Sequence, residues 1–121
     1  MTFNYPNTKT LLSSVTSQNL YGNLVTQLQK DFSLANIDFN VLQENKTISP
    51  EELATALREK IYQLLLESFT EYLNLLYVID IPEQTLKQIQ VTDAVEVADQ
   101  VAFLILKREW QKVWYKKQYS S

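Results

Sequence analysis

The sequence predicts an all-α protein, built as a small bundle of three main helices and one short helix. Its 121 residues include one glycine and three prolines, whereas the tight turns of antiparallel sheets usually need glycine at positive φ. Apolar residues recur three and four positions apart over several long stretches, as on one face of a helix. We expect the main helices at about residues 17–32, 50–77 and 94–117 and the short one at about residues 82–90.

The start of the predicted central helix is marked by three local signals. Ser49 is followed three positions later by Glu52, which is the spacing of a capping box. Pro50 falls at the first helical position, where its missing N–H is not needed. Ile48 and Leu53 stand at the two positions of a hydrophobic staple. The helix is therefore expected to begin at Pro50.

This central helix is predicted to be apolar over an unusually wide arc. At about 100° per residue, apolar side chains cover roughly 220° of its circumference, about twice what one buried face requires. We expect it to be covered on two sides. The apolar residues are Leu57, Ile61, Leu64, Leu65, Leu66, Phe69, Tyr72, Leu73, Leu75 and Leu76.

The segments before this helix are less regular in pattern. Residues 1–16 are rich in Asn, Thr and Ser, and we expect them to be poorly ordered apart from one helical turn. Residues 17–32 form a one-sided amphipathic pattern. Residues 33–47 fit both a strand-like alternation and a helical spacing, and we favour an irregular connector or short helix. The side chains expected to reach the core from it are Ile37, Phe39 and Leu42.

Helix-breaking and capping residues also mark the ends of the helices after residue 77. Asp80-Ile81-Pro82-Glu83 is expected to end one helix and begin the short one, because the residue before proline is disfavoured in the α region. Asp93 is the expected cap of the last helix.

Composition bounds the classes of function. A chain of this length is expected to form one domain, residues 1–121. It has no cysteine and no histidine, so the commonest zinc ligands and the commonest general base are absent, and we expect no cofactor or metal. Acidic residues interrupt the apolar runs, so we expect no membrane span. The first residues show no basic and apolar leader before a cleavage site, so we expect a cytoplasmic location.

Charge is distributed unevenly along the chain. Residues 1–106 carry 6 basic and 13 acidic groups, a net charge of −7, and residues 107–121 carry 5 basic and 1 acidic, a net charge of +4. The C-terminal cations alternate with aromatics, a mixture also found on nucleic-acid and membrane surfaces. Cations in a last helical turn are favourable without any ligand, and an acidic body repels phosphate backbones. We expect no nucleic-acid partner.

Acidic side chains supply one hypothesis of enzymatic function. Glu96 and Asp99 lie on one side of the last helix, and Glu67 and Glu71 on the central one, so together they could bind Mg²⁺. The segment Glu96-Val97-Ala98-Asp99, followed by Phe103-Leu104-Ile105-Leu106, resembles the second acidic helix of the all-α nucleotide pyrophosphohydrolases. The resemblance implies a Mg²⁺-dependent phosphohydrolase. That family also has an E-x-x-E pattern upstream, whereas Glu67 and Glu71 are four residues apart.

The aromatic residues of the last helix supply the favoured hypothesis. Phe103, Trp110 and Trp114 form one stripe, opposite the face expected to meet the central helix. Either the N-terminal segment covers this stripe or another protein does. We predict that the chain is a protein–protein interaction module of the adaptor, regulatory or immunity type, not an enzyme, and that it forms a homodimer through this stripe or binds another protein there.

Overall fold

The computed structural model describes residues 2–39 and 48–120. These residues form an all-α bundle that is 75% helical, so the predicted fold class is confirmed. Six helices are present in the described parts of the chain, two more than the sequence predicted. Their bounds are α1 Thr8–Ser17, α2 Tyr21–Leu34, α3 Pro50–Glu67, α4 Phe69–Ile79, α5 Glu83–Leu86 and α6 Ala94–Tyr119.

The last helix, α6, is the centre of the bundle. It packs along α3 and also contacts α1, α2 and α4. Its buried positions recur three and four residues apart from Ala98 to Val113, so one broad face of this part is enclosed by the other helices. These positions are Ala98, Val101, Ala102, Ile105, Leu106, Glu109, Trp110 and Val113.

The predicted start of the central helix is confirmed in detail. Ser49 Oγ accepts from the amide of Glu52 at 3.1 Å, and the Glu52 carboxylate accepts from the amide of Ser49 at 3.2 Å. Pro50 is the first helical residue. Ile48 and Leu53 are both buried, as a hydrophobic staple requires.

Replacing Ser49 by alanine should lower the free energy of unfolding by about 1 kcal/mol, because the amide of Glu52 loses its acceptor. Denaturation in urea measures the change. Ser13→Ala is the matched control, since Ser13 is exposed on α1 and caps no helix. Equal stability of the two variants would contradict the role of the cap.

The predicted single helix over residues 50–77 is wrong in one respect, because the helix breaks at Ser68. There the backbone adopts φ −147° and ψ 63°, far from helical values. Helix α3 therefore ends at Glu67, and α4 runs from Phe69 to Ile79. The side-chain amide of Asn74 donates to the carbonyl of Ala35 at 3.3 Å, which ties α4 to the end of α2.

The expected burial of the central segment on two sides is also incorrect for the described chain. One side is buried, through Leu53, Leu57, Ile61 and Leu64 on α3 and Tyr72, Leu75, Leu76 and Ile79 on α4. The opposite side remains in water: Leu66, Phe69 and Leu73 are each more than half exposed. The wide apolar arc is thus half core and half open surface.

The N-terminal segment is more regular than expected. Residues 8–17 form helix α1, and the side chain of Asn7 caps it by accepting from the amide of Thr10 at 2.8 Å. Leu11, Leu12 and Val15 are buried in the common core. The expectation of a poorly ordered start therefore fails for the described residues, and α2 begins at Tyr21 rather than near residue 17.

Three helices end with a left-handed residue that is not glycine. Asn19, Asn36 and Asp80 have φ values of 60°, 61° and 66°. Each follows a helix end in the pattern of a Schellman motif, in which the next apolar residue bonds back to the last turn and packs on it. The backbone bonds run from Leu20 to Val15, from Ile37 to Phe32 and from Ile81 to Leu76, at 3.2, 3.0 and 3.2 Å. These caps explain how a helical bundle forms with one glycine.

The remaining predictions concern the connectors. Ile37 is buried as predicted, and Phe39 is half-buried with its ring 4.6 Å from that of Phe32. Leu42, the third residue predicted to reach the core, lies outside the described residues. The short helix is α5, which has four residues rather than the nine predicted for residues 82–90. Asp93 caps α6 as predicted, by accepting from the amide of Glu96 at 2.9 Å.

Candidate interaction surfaces and a buried polar cluster

The predicted aromatic stripe is largely covered by the N-terminal segment. Trp110 is fully buried, and its indole N–H donates to the hydroxyl of Tyr5 at 3.0 Å. The ring of Phe3 meets Trp110 edge-on at 6.4 Å and Trp114 at 6.2 Å. Phe103 and Trp114 are half-buried. Of the two alternatives for this stripe, coverage by the N-terminal segment is therefore the one observed at Trp110.

The predicted acidic residues have separate local roles. Glu96 accepts from the hydroxyl of Thr92 at 2.8 Å, and Asp99 lies 3.6 Å from Arg58. Glu67 and Glu71 are exposed on different helices. Within residues 2–39 and 48–120, no three acidic side chains come close enough to hold a metal ion. The arrangement offers no support for a Mg²⁺ centre in that part of the chain.

The C-terminal cations are used in different ways. Arg108 donates to the carbonyl of Asp80 at 2.9 Å and to its carboxylate at 3.1 Å, which fastens the end of α4 to α6. Lys112 reaches across to α2 and donates to Asp31 at 2.8 Å. Lys116 and Lys117 are exposed. Two of the five cations therefore hold the bundle together.

Lys112 belongs to a buried polar cluster between α2 and α6. Asp31 is 3% exposed and Glu109 is fully buried. The ammonium of Lys112 lies 2.8 Å from Oδ2 of Asp31 and 3.1 Å from Oε1 of Glu109, and Gln27 donates to Asp31 from 3.3 Å. Beyond this ion pair with Lys112, a Glu109 carboxylate has no hydrogen-bond donor for its oxygens among the described residues. As a carboxylic acid, it can donate to Asp31.

The pKa values of the two carboxyl groups in this cluster are shifted in opposite directions. Burial raises the pKa of Glu109 to about 9, and its hydrogen bond to Asp31 adds to this effect. Burial would also raise the pKa of Asp31, but hydrogen bonds from Glu109 and Lys112 and the charge of Lys112 outweigh it and lower that pKa. At neutral pH the cluster thus holds a neutral Glu109 and a charged Asp31, which faces the ammonium of Lys112. Its buried charges are balanced one to one.

Sequence reasoning missed this cluster, although a signal was present. Glu109 continues the three-and-four spacing of buried residues on α6, between Ile105 and Val113. Asp31 occupies a corresponding position beside Leu28 on α2. A charged residue in the apolar register of a helix predicts a buried polar contact. The partner of each residue could not be read from the pattern, because they are far apart in the chain.

The outer face of α3 and α4 carries a run of exposed apolar side chains, which we call the outer apolar row. It consists of Tyr62 and Leu66 on α3 and Phe69, Leu73 and Tyr77 on α4, with exposed fractions of 38%, 59%, 55%, 51% and 84%. Within each helix the members are four residues apart and so share one face. The row includes the part of the central segment that was expected to be covered.

The polar border of this row mixes uncharged side chains with acids, because Glu59 precedes Tyr62 by three residues and Glu67 follows Gln63 by four. Gln63 precedes Leu66 by three residues, and Thr70 and Asn74 stand in the same relation to Leu73 and Tyr77. Residues three apart are neighbours on a helix surface. A partner that approaches the row along this border therefore meets amide and hydroxyl groups together with the carboxylates of Glu59 and Glu67.

No similar protein indicates what these surfaces bind. Comparisons with models of protein families, with curated proteins and with solved structures find no match. In the described parts of the chain, no helix is both long and apolar enough to cross a membrane. The outer apolar row is a group of large apolar side chains that the packing of the described residues does not cover.

Proposed function

We propose that this protein is a protein-binding module of the adaptor, regulatory or immunity type, and that it self-associates through the outer apolar row. The observation that carries the proposal is the exposure of five large apolar side chains on two consecutive helices. Single exposed apolar residues are common on soluble proteins, whereas contiguous apolar surface is typical of interaction sites. Aromatic residues, which are frequent anchors of interfaces, make up three of the five.

A second copy of this chain is the occupant that the row suits. Phe69 lies at its middle, so a two-fold axis near Phe69 would bring Tyr62 of one copy against Tyr77 of the other. Gln63, Thr70 and Asn74 at the border of each copy supply uncharged groups that can hydrogen-bond across such a contact. The dimer predicted from the sequence had its interface on α6. Because Trp110 is already buried within one chain, we place the interface on α3 and α4 instead.

The wild-type protein should be a dimer at tens of micromolar, a range that detects weak interfaces of about micromolar affinity. Leu73→Glu should raise the dimer dissociation constant at least tenfold, because the apolar contact would then bury a charge. Sedimentation equilibrium over a range of concentrations measures both values.

Val95→Glu provides the matched control. Val95 is also helical and is 58% exposed, but it lies in the first turn of α6, away from the row. This variant should dimerise like the wild type, and circular dichroism should show unchanged helicity in both variants. A monomeric wild type, or equal weakening by the two substitutions, would show that the row is not a self-association surface.

A further inference from the structure

A groove lies between α2 and the end of α6, and none of its lining residues belongs to the outer apolar row. Its volume is about 450 Å³, within the range of small-molecule sites. One helix face lines each wall. The lining residues, which define the α2–α6 groove, are Gly22, Asn23, Thr26, Gln27 and Lys30 on one side and Val113, Lys116, Lys117 and Ser120 on the other.

The charge of this groove is uniformly positive. Lys30, Lys116 and Lys117 line it, and no acidic residue does. The ion pairs of the described residues involve other cations, so these three ammonium groups lack an acidic partner there. Asp31, the neighbour of Lys30 in sequence, is already paired with Lys112. Three exposed cations in one concave site produce a positive potential that attracts anions.

The single glycine of the chain lies in the same groove. Gly22 is the second residue of α2 and does not have a positive φ, so its backbone conformation does not require glycine. A Cβ placed there would meet no atom within 4 Å, so packing does not require glycine either. Glycine is nevertheless less favourable than alanine in a helix. Its remaining effect is to keep a side chain out of the groove and the backbone open to a ligand.

We propose that the α2–α6 groove binds a small anion with two or more linked phosphate groups, as in inorganic triphosphate or a nucleoside triphosphate. Ammonium groups from both helices would contact the phosphate oxygens as point charges. The side chain of Asn23 adds amide donors, whereas Gln27 and Thr26 already donate to Asp31 and to the carbonyl of Gly22. Affinity carried by three lysines falls as salt rises.

Calorimetric titration of the full chain with inorganic triphosphate, in phosphate-free buffer at low salt, tests the proposal. Lys30→Gln combined with Lys116→Gln should weaken binding at least tenfold. The control is Lys9→Gln combined with Lys60→Gln, which removes the same charge from positions outside the groove. This control should bind within about twofold of the wild type, a limit set by the small effect of distant surface charges. Titration with a nucleoside triphosphate then shows whether the base adds affinity.

Gly22→Ala separates binding from stability. It should raise the melting temperature, because alanine favours the helix, and it should weaken binding of triphosphate, because a methyl group enters the groove. Full affinity in this variant would place the anion elsewhere and overturn the proposal. So would absence of binding to the wild type at about 1 mM, or equal weakening by the lysine pair and its control. Leu73→Glu should bind triphosphate with the affinity of the wild type. The proposal of anion binding and the proposal of a dimer can therefore be refuted separately.

Discussion

Replacing Trp110 by alanine should lower the free energy of unfolding by about 3–5 kcal/mol, the loss typical of a fully buried tryptophan. The substitution would open a cavity between α6 and the N-terminal segment. It would also remove the donor to Tyr5 and the edge contact with Phe3. Denaturation in urea, followed by the fluorescence of the remaining Trp114, measures the change.

Two related variants show how much of this loss of stability comes from the ring of Trp110 and its burial. Trp110→Phe should lose less stability, since a ring remains but the bond to Tyr5 does not. Trp114→Ala should also have the smaller effect, because Trp114 is only half-buried. A loss at Trp110 no greater than that at Trp114 would mean that the N-terminal segment does not cover Trp110 in solution.

The stability of the protein should fall as the pH rises between about 5 and about 9, and Glu109→Gln should remove most of this fall. In the unfolded chain Glu109 ionises near its ordinary pKa of 4.5, whereas burial holds its pKa at about 9 in the fold. Between these values the unfolded state binds fewer protons. The free energy of unfolding therefore falls by about 1.4 kcal/mol per pH unit from this group alone.

The other shifted groups act outside this window. The pKa of Asp31 is lowered, so its contribution to stability is lost only as the pH falls below its ordinary value of 3.8. Burial raises the pKa of Tyr21 to about 12 and also raises that of Tyr72, and the contributions of these tyrosines are lost as the pH rises above their ordinary value of 10.0. A decline across neutral pH that depends on Glu109 is thus distinguishable from all of these.

Urea denaturation at several pH values tests this prediction. Glu67→Gln is the control, because Glu67 is exposed and the same chemical change there should keep the pH dependence of the wild type. Glu109→Gln preserves the shape of the side chain and can still donate to Asp31. Equal slopes in the wild type and Glu109→Gln would show that Glu109 is ionised in the fold.

Local signals explain which parts of the fold the sequence predicted well. Ser49 and Asp93 were recognised as caps because their partners lie three residues away, so the relevant hydrogen bonds are visible in the sequence. Asn19 and Asn36 end helices by an equally local device. They were missed because asparagine takes the position at which glycine is the usual signal.

The parts that escaped prediction depend on contacts across the bundle. The break at Ser68 allows α4 to pack against α2 as well as α6, a choice made by tertiary contacts and not by helix propensity. The wide apolar arc of the central segment was identified correctly, but its pattern does not show which half faces the core. In the same way, the stripe containing Trp110 was predicted, and its covering by Phe3 and Tyr5 was not.

The bond between Tyr5 and Trp110 has a consequence for synthesis on the ribosome. The two residues are 105 positions apart. At about 5–20 residues per second, Trp110 is made roughly 5–20 seconds after Tyr5. Because α6 contacts α1, α2, α3 and α4, the core of the bundle cannot be fully packed until α6 has been synthesised. During that interval the apolar residues of α1 have only an incomplete set of partners, which is when a nascent chain is most exposed to aggregation and most in need of a chaperone.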